Sequence, residues 1–483
     1  MEFGPALYHE FGEAWKTRDG YRLAKTISPE LTPSQLSSIW QSANGAGSYK
    51  AARDDDVKAA IKRGLSSSSA RLDGIGQKEI KGWVEVYFAY WQAAGILAQV
   101  QQTSSWTNAY EQWKVLINAL IQGYNSHEFE AWTIPCLYVA GKHLRLFAMQ
   151  ADEHISVNDS SATAFQDDFD PELQKHQKLE DCARVLNKVF TICLSDRAPL
   201  EESRKWGLYY IVNLLFKTYF KLNATGLSKN VLRILTAGRG DMPDFHAFPK
   251  SQQVTFKYHE GVLCFLEENY AEAEKHLTEA WNTCHKDAMR NKELILTYLI
   301  PCHLITTHTL PTEKLLEPYP RLQKLFLPLS RCIKQGELHK FDIALQEAED
   351  EFVKRRIYLT LERGRDIALR NLLRKVFIAG GFEPVAKEGD KPVRRTRIPV
   401  AEFAAAISLG SEEKVDNDEV ECLLANMIYK VSQNYALPSM FLPGASRHPR
   451  LSTLIGGLIK GYISRERSIV VLSKSGAFPG TGV

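Results

Sequence analysis

The chain has 483 residues, 44% hydrophobic and 24% charged, which excludes a disordered or collagen-like polypeptide. Lys and Arg number 60 against 57 Asp and Glu, a net charge of +3, so any attraction to nucleic acid must be local. Eight cysteines form no CxxC pair and most have apolar neighbours, which argues against a zinc ribbon or a disulfide framework.

The first twenty residues have no basic start followed by an apolar run, and no apolar stretch reaches the roughly 18 residues of a spanning helix. A soluble intracellular protein is expected, with no membrane partner. Residues 8–18 and 33–42 read as short helices, the second opened by Pro33, which a first helical turn tolerates. The serine run 66–69 with Asp73-Gly74-Ile75-Gly76 reads as a loop or linker. Residues 1–77 are therefore expected to be an N-terminal helical segment, either a peripheral cap or partly mobile.

Residues 78–361 are helical in pattern almost throughout. Trp83, Tyr87, Tyr90 and Trp91 recur at helical spacing, as do Trp113, Leu116, Ile117 and Leu120. Residues 155–169, rich in Ser, Asp and Asn, are expected to form an exposed loop. Asp241-Met242-Pro243-Asp244 and Leu310-Pro311 mark shorter breaks. Helices joined by short polar turns imply stacked antiparallel pairs. Gly261, Ala273, Leu277 and Ala280 follow at offsets of 12, 4 and 3, the small and apolar positions of a tetratricopeptide hairpin. Gly261 and Ala273 would let two backbones approach, Leu277 would fill the seam, and Glu268-Asn269-Tyr270 would turn the chain. A looser copy covers 333–348, with Gln335-Gly336-Glu337 as its turn. A generic helical hairpin is the alternative; either way helical-repeat stacking is expected.

Residues 362–475 differ. A helix over 363–379, carrying Ile367, Leu372, Leu373, Val376 and Phe377, stops at Gly380-Gly381. A basic loop, 387–397, follows. Ile398-Pro399-Val400 opens a short helix to Ile407, and Asp416-Asn417-Asp418 caps a third through Val420, Leu423, Leu424, Met427 and Ile428. The β-rich runs 460–463 and 469–472 flank Ser464-Arg465-Glu466-Arg467-Ser468, a hairpin with a polar tip. Three helices and a hairpin is the order of a winged helix, and 476–483 is left as a tail. The expected fold class is mostly α: an α-solenoid of TPR-like helical repeats, then a C-terminal winged helix with a small β-hairpin.

No catalytic pattern emerges. The chain lacks GxxxxGK[ST], a GxGxxG after a strand, and GxSxG. His259-Glu260 begins like HExxH but has no second histidine at the needed spacing, and His303 and His308 are five apart, off one helical face. A non-enzyme is expected, with no catalytic residues, metal or cofactor.

Charge is segregated towards the C-terminus. Residues 363–397 hold ten bases and four acids, 398–446 seven acids and two bases, and 447–474 six bases and one acid. A winged helix usually reads a duplex with its third helix. Here that helix starts with Asp416, Asp418, Glu419 and Glu421, which repel phosphates and suit the helix dipole instead. Arg370, Arg374, Lys375, Arg394, Arg395, Arg397, Lys460, Arg465 and Arg467 are the candidates for sequence-tolerant, salt-sensitive phosphate contact. A solvated face, or a dock for an acidic protein, is the competing reading. Lys391-Pro392-Val393-Arg394-Arg395-Thr396-Arg397 also has the composition of a nuclear import signal.

Helical repeats with a terminal winged helix resemble the PCI-domain proteins, scaffold subunits of the proteasome lid, the signalosome and a translation initiation factor. Several stretches are similar to one branch. They are Lys205-Trp206-Gly207 with Val212-Asn213-Leu214-Leu215-Phe216-Lys217-Thr218-Tyr219-Phe220-Lys221, Val254-Thr255-Phe256-Lys257-Tyr258-His259-Glu260-Gly261, Asn291-Lys292 with Leu299-Ile300-Pro301, and Asp418-Glu419-Val420-Glu421-Cys422-Leu423-Leu424-Ala425-Asn426-Met427-Ile428-Tyr429. Lys460-Gly461-Tyr462-Ile463-Ser464 with Val470-Val471-Leu472-Ser473-Lys474 and Phe478-Pro479 completes the likeness. That branch holds the signalosome-subunit-twelve-like proteins of fungi, the Thp-one subunit of a messenger-RNA export complex, and animal PCI-domain-two proteins. The resemblance covers roughly 192–479.

The resemblance implies a non-enzymatic scaffold that pairs with a second PCI protein of the Sac-three/Thp-three type through side-by-side winged helices. Val420, Leu424, Tyr462, Ile463, Val470 and Leu472 would supply the docking surface here. It also implies a small, acidic, largely disordered partner of the Dss-one/Sem-one type, and a joint basic face that holds RNA, or DNA as a second candidate. The expected setting is the nucleus, with the cytoplasm left open, in transcription-coupled messenger-RNA processing or export. The competing expectation is a signalosome-associated interaction subunit without nucleic acid. Compared with the shorter animal proteins, residues 432–448 are an insertion between the third helix and the wing.

Overall fold

Helix dominates because apolar side chains recur at every third or fourth position over long stretches. A computed structural model describes residues 3–44, 54–69, 75–103, 105–159, 176–383, 394–409, 415–429 and 458–480. They divide into two units, 1–259 and 260–483.

In the first unit α1 (Phe3–Thr17), α2 (Gly20–Thr26), α3 (Pro33–Asn44) and α4 (Asp54–Ser69) pack around α5 (Gln77–Thr103) and α7 (Pro135–Asp159). Phe11 lies edge-on to Trp83 and Tyr87, at 5.6 and 5.8 Å, and Trp40 stacks on Trp91 at 4.2 Å. Glu79, buried between them, accepts the indole N–H of Trp15 at 3.2 Å and of Trp83 at 3.4 Å. The N-terminal helices thus share the core of the unit and are not a peripheral cap. The serine run does not break the chain either. Val57, Ile61 and Leu65 are buried at successive offsets of four, which carries α4 through Ser69. Asp19 explains α2, which the periodicity misses: its carboxylate accepts from the N–H groups of Tyr21 and Arg22, both at 3.0 Å.

The unit continues with α6 (Trp106–Ser126), α8 (Gln177–Leu194), α9 (Leu208–Lys221) and α10 (Thr225–Ala237). Helix α7 runs on to Asp159, so the start of the expected loop 155–169 is helical; residues 160–169 lie outside the described residues. Helix α11 (Lys250–Leu266) runs through the boundary between the units.

In the second unit α12 (Tyr270–Thr283) closes the tetratricopeptide-like hairpin. A Cβ on Gly261 would stand 2.7 Å from Leu277 Cγ, and Ala273, Leu277 and Ala280 are fully buried. The small-residue spacing therefore has the expected cause, close approach of two backbones. Next come α13 (Met289–Thr306), α14 (Glu313–Leu316), α15 (Pro320–Gln335), α16 (Leu338–Glu347), α17 (Glu349–Lys354) and α18 (Tyr358–Glu362). Helix α15 ends at Gly336, left-handed at φ 66°, which turns the second hairpin at the expected place.

The winged helix follows: α19 (Gly364–Ala379), β1 (Arg397–Pro399), α20 (Val400–Ile407), α21 (Asn417–Tyr429), β2 (Gly461–Ser464) and β3 (Ile469–Leu472). The sheet is antiparallel in the order β1-β3-β2, with Arg397 opposite Val471 and Tyr462 opposite Val471. Strand β1 is an addition to the expected hairpin. It is three residues long and ends on a proline, so no run of alternation advertises it. Residues 476–480, expected as a tail, belong to this module: Ala477 and Phe478 are buried, and Phe478 packs on Phe377 at 5.7 Å.

Candidate nucleic-acid and partner interface

Strand alternation sorts the sheet into two faces. Ile398, Val470 and Leu472 face inward and are buried; Arg397, Val471 and Tyr462 form the opposite row. Tyr462 is 57% exposed, and Arg397 is exposed two strands away, about 10 Å across the sheet. Lys460 precedes β2, and Arg465 and Arg467 sit on the 3-10 turn between β2 and β3, all three exposed. The wing therefore presents one aromatic ring within a rim of cations. Arg397, Lys460 and Arg467 form no ion pair among the described residues.

The other six cations are placed differently. Arg370 is buried in α19; its Nε donates to the Leu458 carbonyl at 3.3 Å and an Nη to the Pro479 carbonyl. Burial first, then the charge of Arg374, lowers its pKa. It is a structural latch and is withdrawn from the phosphate-contact set. Arg374, half-buried beside it, has an Nε sealed from solvent. Lys375 donates to the Gln335 carbonyl at 2.7 Å, capping the C-terminal end of α15. Arg394 lies over Phe382 at 4.9 Å and Phe377 at 5.5 Å. Arg395 pairs with Glu402 at 2.8 Å, and Arg465 with Glu421 at 3.2 Å. Glu421 comes from the acidic start of α21, so those carboxylates act within the module as well as on the dipole.

The docking set also divides. Val420, Leu424, Val470 and Leu472 are buried in the winged-helix core and are corrected to core residues; Tyr462 is exposed and Ile463 half-buried. Sequence alternation could not choose between them, because both faces of β3 are apolar. The 432–448 insertion, and the basic loop up to residue 393, lie outside the described residues. Among the described residues there is no cluster able to hold a metal ion, and no helix is long and apolar enough to cross a membrane.

No protein-family model matches the chain. It is 62% identical to Protein CSN12 homolog of Neurospora crassa, over 99% of this chain and 100% of that protein. The chain belongs to the CSN12-like family of PCI-domain proteins. The Schizosaccharomyces pombe CSN12 homolog is 34% identical, covering 90% of this chain and 88% of its own length. PCI domain-containing protein 2 of Danio rerio is 30% identical, over 77% of this chain and 79% of that one. For a CSN12-like chain, helical repeats leading into a winged helix are the PCI architecture that the sequence motifs implied.

Proposed function

We propose that the chain is a non-enzymatic PCI scaffold subunit. It pairs with a second PCI protein of the Sac-three/Thp-three type and a small acidic Dss-one/Sem-one type protein. The complex is nuclear and holds messenger RNA during transcription-coupled processing or export. One observation carries the nucleic-acid part: exposed Tyr462 shares the solvent face of the wing with Arg397, flanked by Lys460 and Arg467. An aromatic platform edged by cations that make no ion pair among the described residues suits a single strand, because every base has a face to stack and every phosphate a charge to meet. A duplex is disfavoured, since α21 leads with Asp418 and Glu419, both exposed.

The test is RNA binding by the purified chain, with and without its PCI partner, across a salt series. Reversing Arg397, Lys460 and Arg467 to glutamate is expected to weaken binding at least ten-fold and flatten the salt dependence by about two log–log units. Reversing Arg394, Arg395 and Arg465 is expected to do less, since carboxylates already offset two of them. Unchanged affinity in the first variant sinks the assignment. A second reading draws on those same ion pairs: a mixed-charge face also suits a protein dock on the signalosome. Salt-washed affinity purification separates the two. Recovery of the small acidic protein with a PCI partner supports the first reading; recovery of signalosome subunits alone supports the second.

A further inference from the structure

A cavity of about 460 Å³ opens between α1, α2 and α3 of the first unit. Its frame follows from local chemistry. Arg18, left-handed at φ 53°, turns the chain between α1 and α2, and its guanidinium is pinned over Trp15 at 4.4 Å and to Glu130 at 2.9 Å. The short helix α2 divides by its period: Leu23 and Ala24 are buried in the core, while Tyr21, Arg22 and Lys25 line the cavity. Leu31, in the connection to α3, forms the next wall. Its neighbour Glu30 is held by Lys142 at 2.7 Å and by His143 at 3.2 Å. Leu7 of α1 and Ile39 of α3 complete the apolar lining.

The polar side chains around that lining are not equally free. Arg22 donates to both carboxylate oxygens of Glu10, at 2.7 and 3.2 Å. The Asp19 carboxylate is taken up as the cap of α2, and the Thr26 hydroxyl is bonded to that of Tyr87 at 2.6 Å. Lys25 is left over: it is exposed and forms no ion pair among the described residues. The volume falls within the roughly 300–1,000 Å³ of small-ligand sites, and covering half-buried Leu7 and Leu31 is favourable. One cation beside an apolar concavity matches a ligand with one negative charge and an apolar body. A dianion would bring a charge without a partner, and a cation would be repelled by Lys25.

We propose that this cavity binds an apolar monocarboxylate of the fatty-acid class. The chain lies along Leu7, Leu31 and Ile39, and the carboxylate meets Lys25. The site shares no residue with the wing, so it stands apart from the RNA reading.

The test uses the full chain, with ligands kept below the concentrations at which they form micelles. Decanoate, decanol and acetate are titrated by calorimetry, and thermal unfolding is followed alongside. Decanoate is expected to bind one per chain and to raise Tm. Decanol, with the same chain and no charge, is expected to bind at least three-fold more weakly, and acetate no better than chloride. Lys25→Gln, an exposed change, is expected to weaken decanoate at least three-fold and leave decanol unchanged, and Lys25→Arg to restore decanoate. Leu7→Gln is expected to weaken decanoate and decanol alike. An acetylated tripeptide ending in leucine separates a protein terminus from a free acid; tighter binding of the peptide than of decanoate overturns the assignment. Decanoate that adds without saturating, or that binds Lys25→Gln as it binds the parent chain, overturns it as well.

Discussion

Arg370 shows what a single side chain contributes when a basic residue leaves the surface. Its guanidinium ties α19 to the backbone carbonyls of Leu458 and Pro479, on either side of the β2–β3 hairpin. Arg370→Met keeps the volume and strands both acceptors, so a loss of about 2–3 kcal/mol is expected in chemical denaturation. RNA affinity of the folded fraction should not change, which separates this residue from Arg397. Asp196 makes a second local case. Burial acts to raise its pKa, but the Arg204 guanidinium, the Arg204 N–H and the Ser203 hydroxyl together hold it down to about 2. The stabilisation is complete above pH about 4, the unfolded value, and is lost as pH falls through about 2. Asp196→Asn should remove that acid-side dependence and lower the denaturation midpoint at pH 7. An unchanged pH profile would rule out the pairing as a source of stability.

Between helices, Gly261 is the sensitive contact. Alanine normally favours a helix by about 1 kcal/mol over glycine. Here its methyl would meet Leu277 at 2.7 Å, so Gly261→Ala is expected to cost about 1–2 kcal/mol instead. Leu277→Ala opens the same seam and should cost about 2–5 kcal/mol. Both are read from urea unfolding, and a stabilising Gly261→Ala would refute the close approach. This hairpin was legible in the sequence because small residues at fixed offsets have one steric meaning. The winged helix was legible as an order of elements. Its inner and outer faces were not, since Val470, Val471 and Leu472 read alike until β1 and β2 bracket them. The phosphate-contact set was legible only as composition. Arg370 and Arg397 differ by nothing in the sequence that announces one buried and the other exposed.

At the scale of the molecule, the helices around α5 form one core from residue 11 to residue 256. Its aromatic pairs, Trp83 on Phe129 at 4.3 Å and Tyr138 on Tyr210 at 4.1 Å, join segments far apart in sequence. A truncation before Gln77 would bare Trp83, Tyr87 and Trp91 together. Such a fragment is expected to aggregate or to bind hydrophobic dye, even though it retains every residue of the wing. A soluble, monomeric fragment with native-like circular dichroism would show that the first four helices are dispensable.

The winged helix is closed from two separate stretches of chain. Thr396 accepts the Leu472 N–H at 2.9 Å, Met427 accepts that of Ile459 at 3.3 Å, and β1 pairs antiparallel with β3. Among the described residues, these backbone hydrogen bonds hold the pieces in register. A gene divided between the codons for Tyr429 and Leu458 should therefore yield two polypeptides that find each other in the same cell. Two such halves would make a split reporter in which the pairing of β1 with β3 signals their reunion.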